Sequence, residues 1–255
     1  MPQRIPITNA AEARARLDAG NEAFRLMGEV GSEHVLAAYP IAASIGATAG
    51  SPRHDPFAAV IGCSDARVPV EFVFGQAAND LFVIRVAGNV LASGVTGSVQ
   101  YAASNLPSVK VVVVLGHTSC GGLTAAVDAM LDPSVYMDLV HSPDMRSIVD
   151  SLLVGVRMAS FALRAAGGEE VTSHPAYRQA LIDVSAAANA AINAHVLSHA
   201  IDLDVAYGVF DLESRSVGLA SEPGWTPGLA DPPHGDREIS EMLRHYAAWE
   251  LGRMG

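Results

Sequence analysis

Apolar residues between Asn9 and Leu26 recur at helical spacing, and Thr8 or Asn9 stands where a cap would accept the first free amides, so this segment is a predicted helix. The period is then lost. Residues 28–53 mix Gly, Ser and Ala and lead into Ser51-Pro52-Arg53-His54-Asp55-Pro56, a predicted connector with at most a short helix. Four short apolar runs follow: Phe57–Gly62, Leu81–Val86, Val109–Leu115 and Leu203–Phe210. The third has almost no polar alternation, as expected of a strand covered on both faces in a parallel sheet. Between the runs, helical patterns occupy roughly 95–106, 121–132, 145–166 and 176–200. Strand alternating with helix predicts an α/β fold, with a central, mostly parallel sheet of four strands flanked by helices. Ser216–Ala220 offers an antiparallel edge strand. Beyond it, Ser221–Gly255 opens with the Pro/Gly-rich stretch EPGWTPGLADPP and regains a helical pattern from about Asp236. The expected division is a domain over 1–220 and a mostly helical C-terminal extension over 221–255. Trp225 and Trp249 suggest that the extension docks on the domain or on a second subunit.

Composition narrows the class. The chain has 255 residues, half of them hydrophobic and 17% charged, which excludes disorder as the main state. Sixteen Lys+Arg against 27 Asp+Glu leave a net charge of −11, a balance that argues against nucleic acid as a partner, because such affinity is built on clustered cations. No apolar run reads as long enough to cross a bilayer; the longest candidates are broken by Lys110, Gly116 and His117. Residues 1–30 lack a charged start followed by an apolar core, so no secretion signal is predicted and a cytoplasmic location is expected. Two cysteines, Cys63 and Cys120, cannot make a disulfide framework, and either pack as buried thiols or do chemistry.

Their placement favours chemistry. The first predicted strand runs directly into Cys63-Ser64-Asp65-Ala66-Arg67, and the third into Gly116-His117-Thr118-Ser119-Cys120-Gly121-Gly122 with a helix after it. Ligands of open α/β sheets bind beyond the carboxyl ends of strands, where strand order reverses. Two thiolates and one imidazole are the donor set that zinc prefers, and three protein ligands leave a fourth tetrahedral position for catalysis. Asp65 lies within reach of that position, to occupy it or to accept a hydrogen bond from water there. Arg67 is placed to hold the carboxylate bidentately. For either cysteine alone, a packing thiol is the commoner reading. Both at strand ends, one with Asp and Arg beside it and one with His, weaken that reading.

These motifs resemble those of the β-class carbonic anhydrases over roughly residues 10–220. Cys63-Ser64-Asp65-Ala66-Arg67 matches the family's C-x-D-x-R, and Gly116-His117-Thr118-Ser119-Cys120-Gly121 matches G-H-x-x-C-G. Asp80 to Asn89 looks like the family's strand and R-x-A-G-N turn. Gly20 to Phe24 resembles the end of its amino-terminal helix, and Tyr207 to Asp211 its last parallel strand. The resemblance implies Cys63, His117 and Cys120 as Zn²⁺ ligands, Asp65–Arg67 as a catalytic dyad, and a homodimer or higher homo-oligomer whose cleft is shared between subunits. It places Phe82 and Tyr101 in a small apolar substrate pocket. His54 stands where many members carry a substrate-holding Gln, nine residues before the first cysteine. One subfamily has an inhibitory bicarbonate site; Arg85 and Tyr207 match it, but Val60 replaces its Trp, so an intact inhibitory site is not expected.

The implied activity is reversible hydration of CO₂ to bicarbonate and a proton. A zinc-bound hydroxide, oriented by Asp65 under the control of Arg67, attacks CO₂. Asp65 as fourth ligand would give a closed, inactive state favoured at lower pH. His34, His54 and His141 are candidates to carry the proton, beside histidines in general. Other readings compete: hydrolysis of carbonyl sulfide or carbon disulfide, a zinc-stabilised non-catalytic assembly protein, and a Cys120 nucleophile with His117 as base. His195-Val196-Leu197-Ser198-His199 puts two imidazoles on one helical face but lacks the Glu of a helical zinc-protease signature.

Overall fold

A computed structural model describes residues 6–27, 53–221 and 224–254. Its helices are α1 (Ala10–Met27), α2 (Val70–Val73), α3 (Ser93–Asn105), α4 (Gly121–Leu131), α5 (Pro133–Asp138), α6 (Pro143–Gly167), α7 (Tyr177–Ala200) and α8 (Asp236–Arg253). The strands are β1 (Ala58–Gly62), β2 (Leu81–Arg85), β3 (Val111–His117), β4 (Asp204–Phe210), β5 (Val217–Ala220) and β6 (Trp225–Pro227). They form one sheet in the order β2-β1-β3-β4-β5-β6. The first four are parallel, and β5 and β6 add antiparallel at one edge.

The expected α/β architecture is therefore present, with two differences. The third strand runs two residues further than its apolar run, because Gly116 and His117 pair with Val209 and Phe210 of β4. The sixth strand was not anticipated. It sits in the Pro/Gly-rich stretch and ends in Pro227, a residue an edge strand accommodates because no neighbour there needs its missing amide.

Helices cover both faces, so β1 and β3 are buried along their whole length and read as unbroken apolar runs. On one face, α7 packs against β3 and β4 and is itself enclosed by α4, α6 and α8. This is why α7 carries little amphipathic signal: nearly all of its residues from Tyr177 to Ala194 are buried. One reading of the sequence needs correcting here, since α7 is long and apolar enough by length and composition to cross a membrane. Its alanines make a run without bulky apolar residues, which hid it, and most of it is buried inside the fold. Residues 225–253 supply β6 and α8. The Trp225 ring meets Trp249 and Tyr246 of α8 at 5.4 and 6.4 Å within the same chain.

The sheet order positions the site. From β1 the chain goes to β2 on one side and then to β3 on the other, so strand order reverses between the adjacent strands β1 and β3. Cys63 follows β1 directly and His117 ends β3. Gly116 is needed for α7 to lie this close, because a Cβ there would stand 2.9 Å from the Ala186 carbonyl oxygen.

Candidate metal centre

At this reversal point Cys63, His117 and Cys120 meet, all buried, with their ligand atoms within 4.8 Å of one another. The two sulfurs are 3.9 Å apart. Two sulfurs bound at about 2.3 Å in a tetrahedral arrangement would be separated by about 3.8 Å, so the spacing fits a shared zinc-sized ion. The imidazole is oriented for the same role. Its Nδ1 lies 2.9 Å from the Thr118 carbonyl, which can only accept, so Nδ1 carries the proton and Nε2 keeps its lone pair. That Nε2 is buried without a hydrogen-bond partner among the described residues, a costly arrangement unless a ligand uses it. Electrostatics point the same way. The sulfur–sulfur contact holds Cys63 well below the ordinary thiol range, to about 4, and pushes Cys120 up, so the pair shares one proton. Both sulfurs can ionise together only with a cation between them.

Asp65 stands beside this set. Its Oδ2 is 3.9 Å from His117 Nε2. Arg67 grips the carboxylate through Nε to Oδ1 at 3.0 Å and Nη2 to Oδ2 at 2.6 Å, and the Arg67 amide adds a third bond at 2.8 Å. These bonds hold the Asp65 carboxyl at about 2, against the opposing effect of burial. Arg85, by contrast, is committed to backbone, donating to the carbonyls of Cys63 and Asp65.

The sequence profile of the carbonic anhydrase family matches residues 58–213, well over half of the chain. The chain belongs to the β-class carbonic anhydrase family. It is 37% identical over 153 residues to carbonic anhydrase 2 of Mycobacterium tuberculosis, covering 60% of this chain and 69% of that protein. It is also 39% identical over 105 residues to a carbonic anhydrase of Pseudomonas aeruginosa, covering 38% and 47%. Among solved structures, the β-carbonic anhydrase CcaA superposes with a TM-score of 0.52 at 21% identity, over 86% of this chain and 98% of that one; the likeness is one of fold.

The other residues singled out in the sequence fall into two groups. His54, Phe82 and Tyr101 come together as a row of rings, 5.9 Å from His54 to Phe82 and 6.3 Å from Phe82 to Tyr101, and Tyr101 is 51% exposed. Phe82 pairs with Ala59, four residues before Cys63, so the row sits about 13 Å along the strands from the ligands of the same chain. His141 is exposed, and His34 lies outside the described residues. The His195 and His199 rings are 4.6 Å apart, but His195 Nδ1 bonds the Pro233 carbonyl and His199 Nδ1 the His195 carbonyl, and among the described residues no third metal-ligating group joins them. The nucleophile reading of Cys120 loses its footing, because the thiol is 1% exposed and its pKa is raised.

Sequence reasoning passed over the polar residues that support the centre from α7. Asp183 accepts from the Ser119 amide, Asn189 donates to the Gly88 carbonyl and Asn193 to the Asn89 carbonyl. A signal was present: isolated Asp and Asn side chains within an alanine-rich buried helix need partners, and loops at strand ends supply them.

Proposed function

We propose that this protein catalyses the reversible hydration of CO₂ to bicarbonate and a proton, using a zinc ion held by Cys63, His117 and Cys120. The observation that carries the reading is the convergence of two sulfurs and an unpartnered imidazole nitrogen beside an arginine-held carboxylate. Zinc bound there would supply a Lewis acid that brings the pKa of water to about 7. The chain's own residues do the rest. Arg67 keeps Asp65 charged and fixes both of its oxygens, so Asp65 acts only as an acceptor. With Oδ2 3.9 Å from the ligating nitrogen, it is placed to take the hydrogen of a reacting water and so direct that water's lone pair at CO₂.

The reading includes a homodimer in the cytoplasm. Among the described residues strand β2 is a sheet edge and is only partly buried along most of its length, which offers a place for a second copy. His54, Phe82 and Tyr101 lie too far along the strands to line their own chain's cluster, so a cleft shared between subunits gives them a role as substrate-pocket residues.

Stopped-flow CO₂ hydration with a pH indicator, run beside zinc analysis, tests the proposal. One zinc per chain with rapid hydration is expected, and His117→Ala or Cys120→Ala should lose both. Stoichiometric zinc without hydration would overturn it. Carbonyl sulfide or carbon disulfide would then be the next substrates to assay, with a non-catalytic assembly role left if they too are inert.

A further inference from the structure

Ser119 lies between two of the proposed ligands, His117 and Cys120, and adopts a left-handed backbone with φ of 54°. A β-carbon makes that conformation unfavourable, so it persists only where surrounding contacts hold it. The contacts come from α7. Asp183 Oδ1 accepts from the Ser119 amide at 2.6 Å, and Gln179 Nε2 donates both to Asp183 Oδ2 at 2.8 Å and to Ser119 Oγ at 3.1 Å. Asp183 is buried, where an apolar residue would avoid the desolvation that raises its pKa. On its other side, the Ser119 carbonyl accepts from Arg67 Nη2 at 3.1 Å, the same nitrogen that holds Asp65 Oδ2. A continuous path thus runs by hydrogen bonds from α7 to the Ser119 amide, across the Ser119 backbone, and from its carbonyl to Arg67 and Asp65, without passing through a ligand side chain.

We propose that Asp183 and Gln179 are positioning residues, a clamp on Ser119 that sets the spacing of His117 and Cys120 and aims Arg67 at Asp65. This rests on the reading of Cys63, His117 and Cys120 as metal ligands. Asn189 supports the opposite side of the centre in a similar way, donating to the carbonyl of Gly88 in the loop after β2.

The test is zinc affinity, by competition with a chromophoric chelator, and the visible spectrum of the cobalt-substituted protein, alongside CO₂ hydration. Asp183→Ala is expected to weaken zinc binding by about 10- to 100-fold, the range for groups that orient metal ligands, and to alter the cobalt spectrum. Asp183→Asn keeps an oxygen for the Ser119 amide, with the Gln179 amide turned to match, and should stay within about threefold of the parent protein. Adding Ser119→Gly to Asp183→Ala should recover most of the lost affinity, because glycine takes a positive φ without support. Wild-type affinity and spectrum in Asp183→Ala would overturn the clamp, as would a loss that Ser119→Gly does not relieve. If Asp183→Ala does not fold, Gln179→Ala at its exposed position carries the test; it should weaken zinc binding, and an unchanged affinity and spectrum would overturn the clamp. A parent protein that binds zinc yet hydrates no CO₂ would overturn the proposed function alone, since affinity and spectrum still decide the clamp.

Discussion

Replacing Glu250 by glutamine is expected to stabilise the protein above neutral pH and to leave its stability nearly unchanged near pH 4. Glu250 is on α8, 5% exposed, and its Oε1 has no hydrogen-bond partner among the described residues. The nearest cation, Arg253, approaches only to 3.8 Å and is shared with Glu213 and the Trp249 ring. Burial first, and then the nearby Asp183 charge, raise the Glu250 carboxyl from 4.5 to about 7. An acid whose pKa is higher in the folded state binds its proton more tightly there. Its contribution to stability is therefore complete below pH 4.5, falls as pH rises from 4.5 to 7, and is fully lost above 7. At about 1.4 kcal/mol per unit, the shift corresponds to about 3 kcal/mol at pH 8. Glutamine keeps the shape and cannot ionise, so it should recover a large part of that. Urea unfolding at fixed, saturating zinc, repeated from pH 4 to 8.5, measures the difference. The two tryptophans of the chain, Trp249 on this helix and Trp225 packed against it, report it by fluorescence. A stability difference between parent and variant that does not grow with pH would refute the reasoning.

Tyr246→Phe should stabilise by about 1 kcal/mol in the same unfolding assay, because the Tyr246 hydroxyl is fully buried with no partner among the described residues. Under the proposed mechanism, Asp65→Ala should keep its zinc by metal analysis yet lose about 10- to 100-fold in CO₂ hydration, because it removes the acceptor for the reacting water and none of the three proposed ligands. Gly116→Ala should lower the melting temperature by an amount equivalent to about 1–3 kcal/mol, because its Cβ would press on the Ala186 carbonyl of a helix that cannot retreat.

Most of the sheet was legible because buried strands cannot disguise themselves. Val111 to Leu115 has no polar alternation since both faces of β3 are covered. The meeting of Cys63, His117 and Cys120 was legible for a related reason: residues at the carboxyl ends of neighbouring parallel strands must come together wherever strand order reverses. Other features were harder to see. β6 was hidden by Pro227 and Gly228, which read as turn formers, although its pairing with β5 is a local hairpin with Ala220 opposite Trp225 and Gly218 opposite Pro227. The membrane-length character of α7 was hidden by alanine, which makes a helix enclosed on all sides look merely indifferent.

The same enclosure explains why support for the centre escaped notice. A helix buried all round satisfies its own backbone and needs no polar side chains, so each one it carries must be satisfied elsewhere. Asp183, Asn189 and Asn193 are satisfied by the backbone of loops after β3 and β2, including the left-handed positions Ser119, Gly88 and Asn89. The loop after β3 turns sharply between His117 and Cys120, two of the proposed ligands, and sharp turns leave amides and carbonyls unpaired. A buried helix with scattered Asp and Asn is therefore the complement of a strained ligand loop. Read that way, Asp183 within LIDVSAAANAAINA points to a backbone amide in need of an acceptor, and the left-handed residue three positions after Gly116 supplies it.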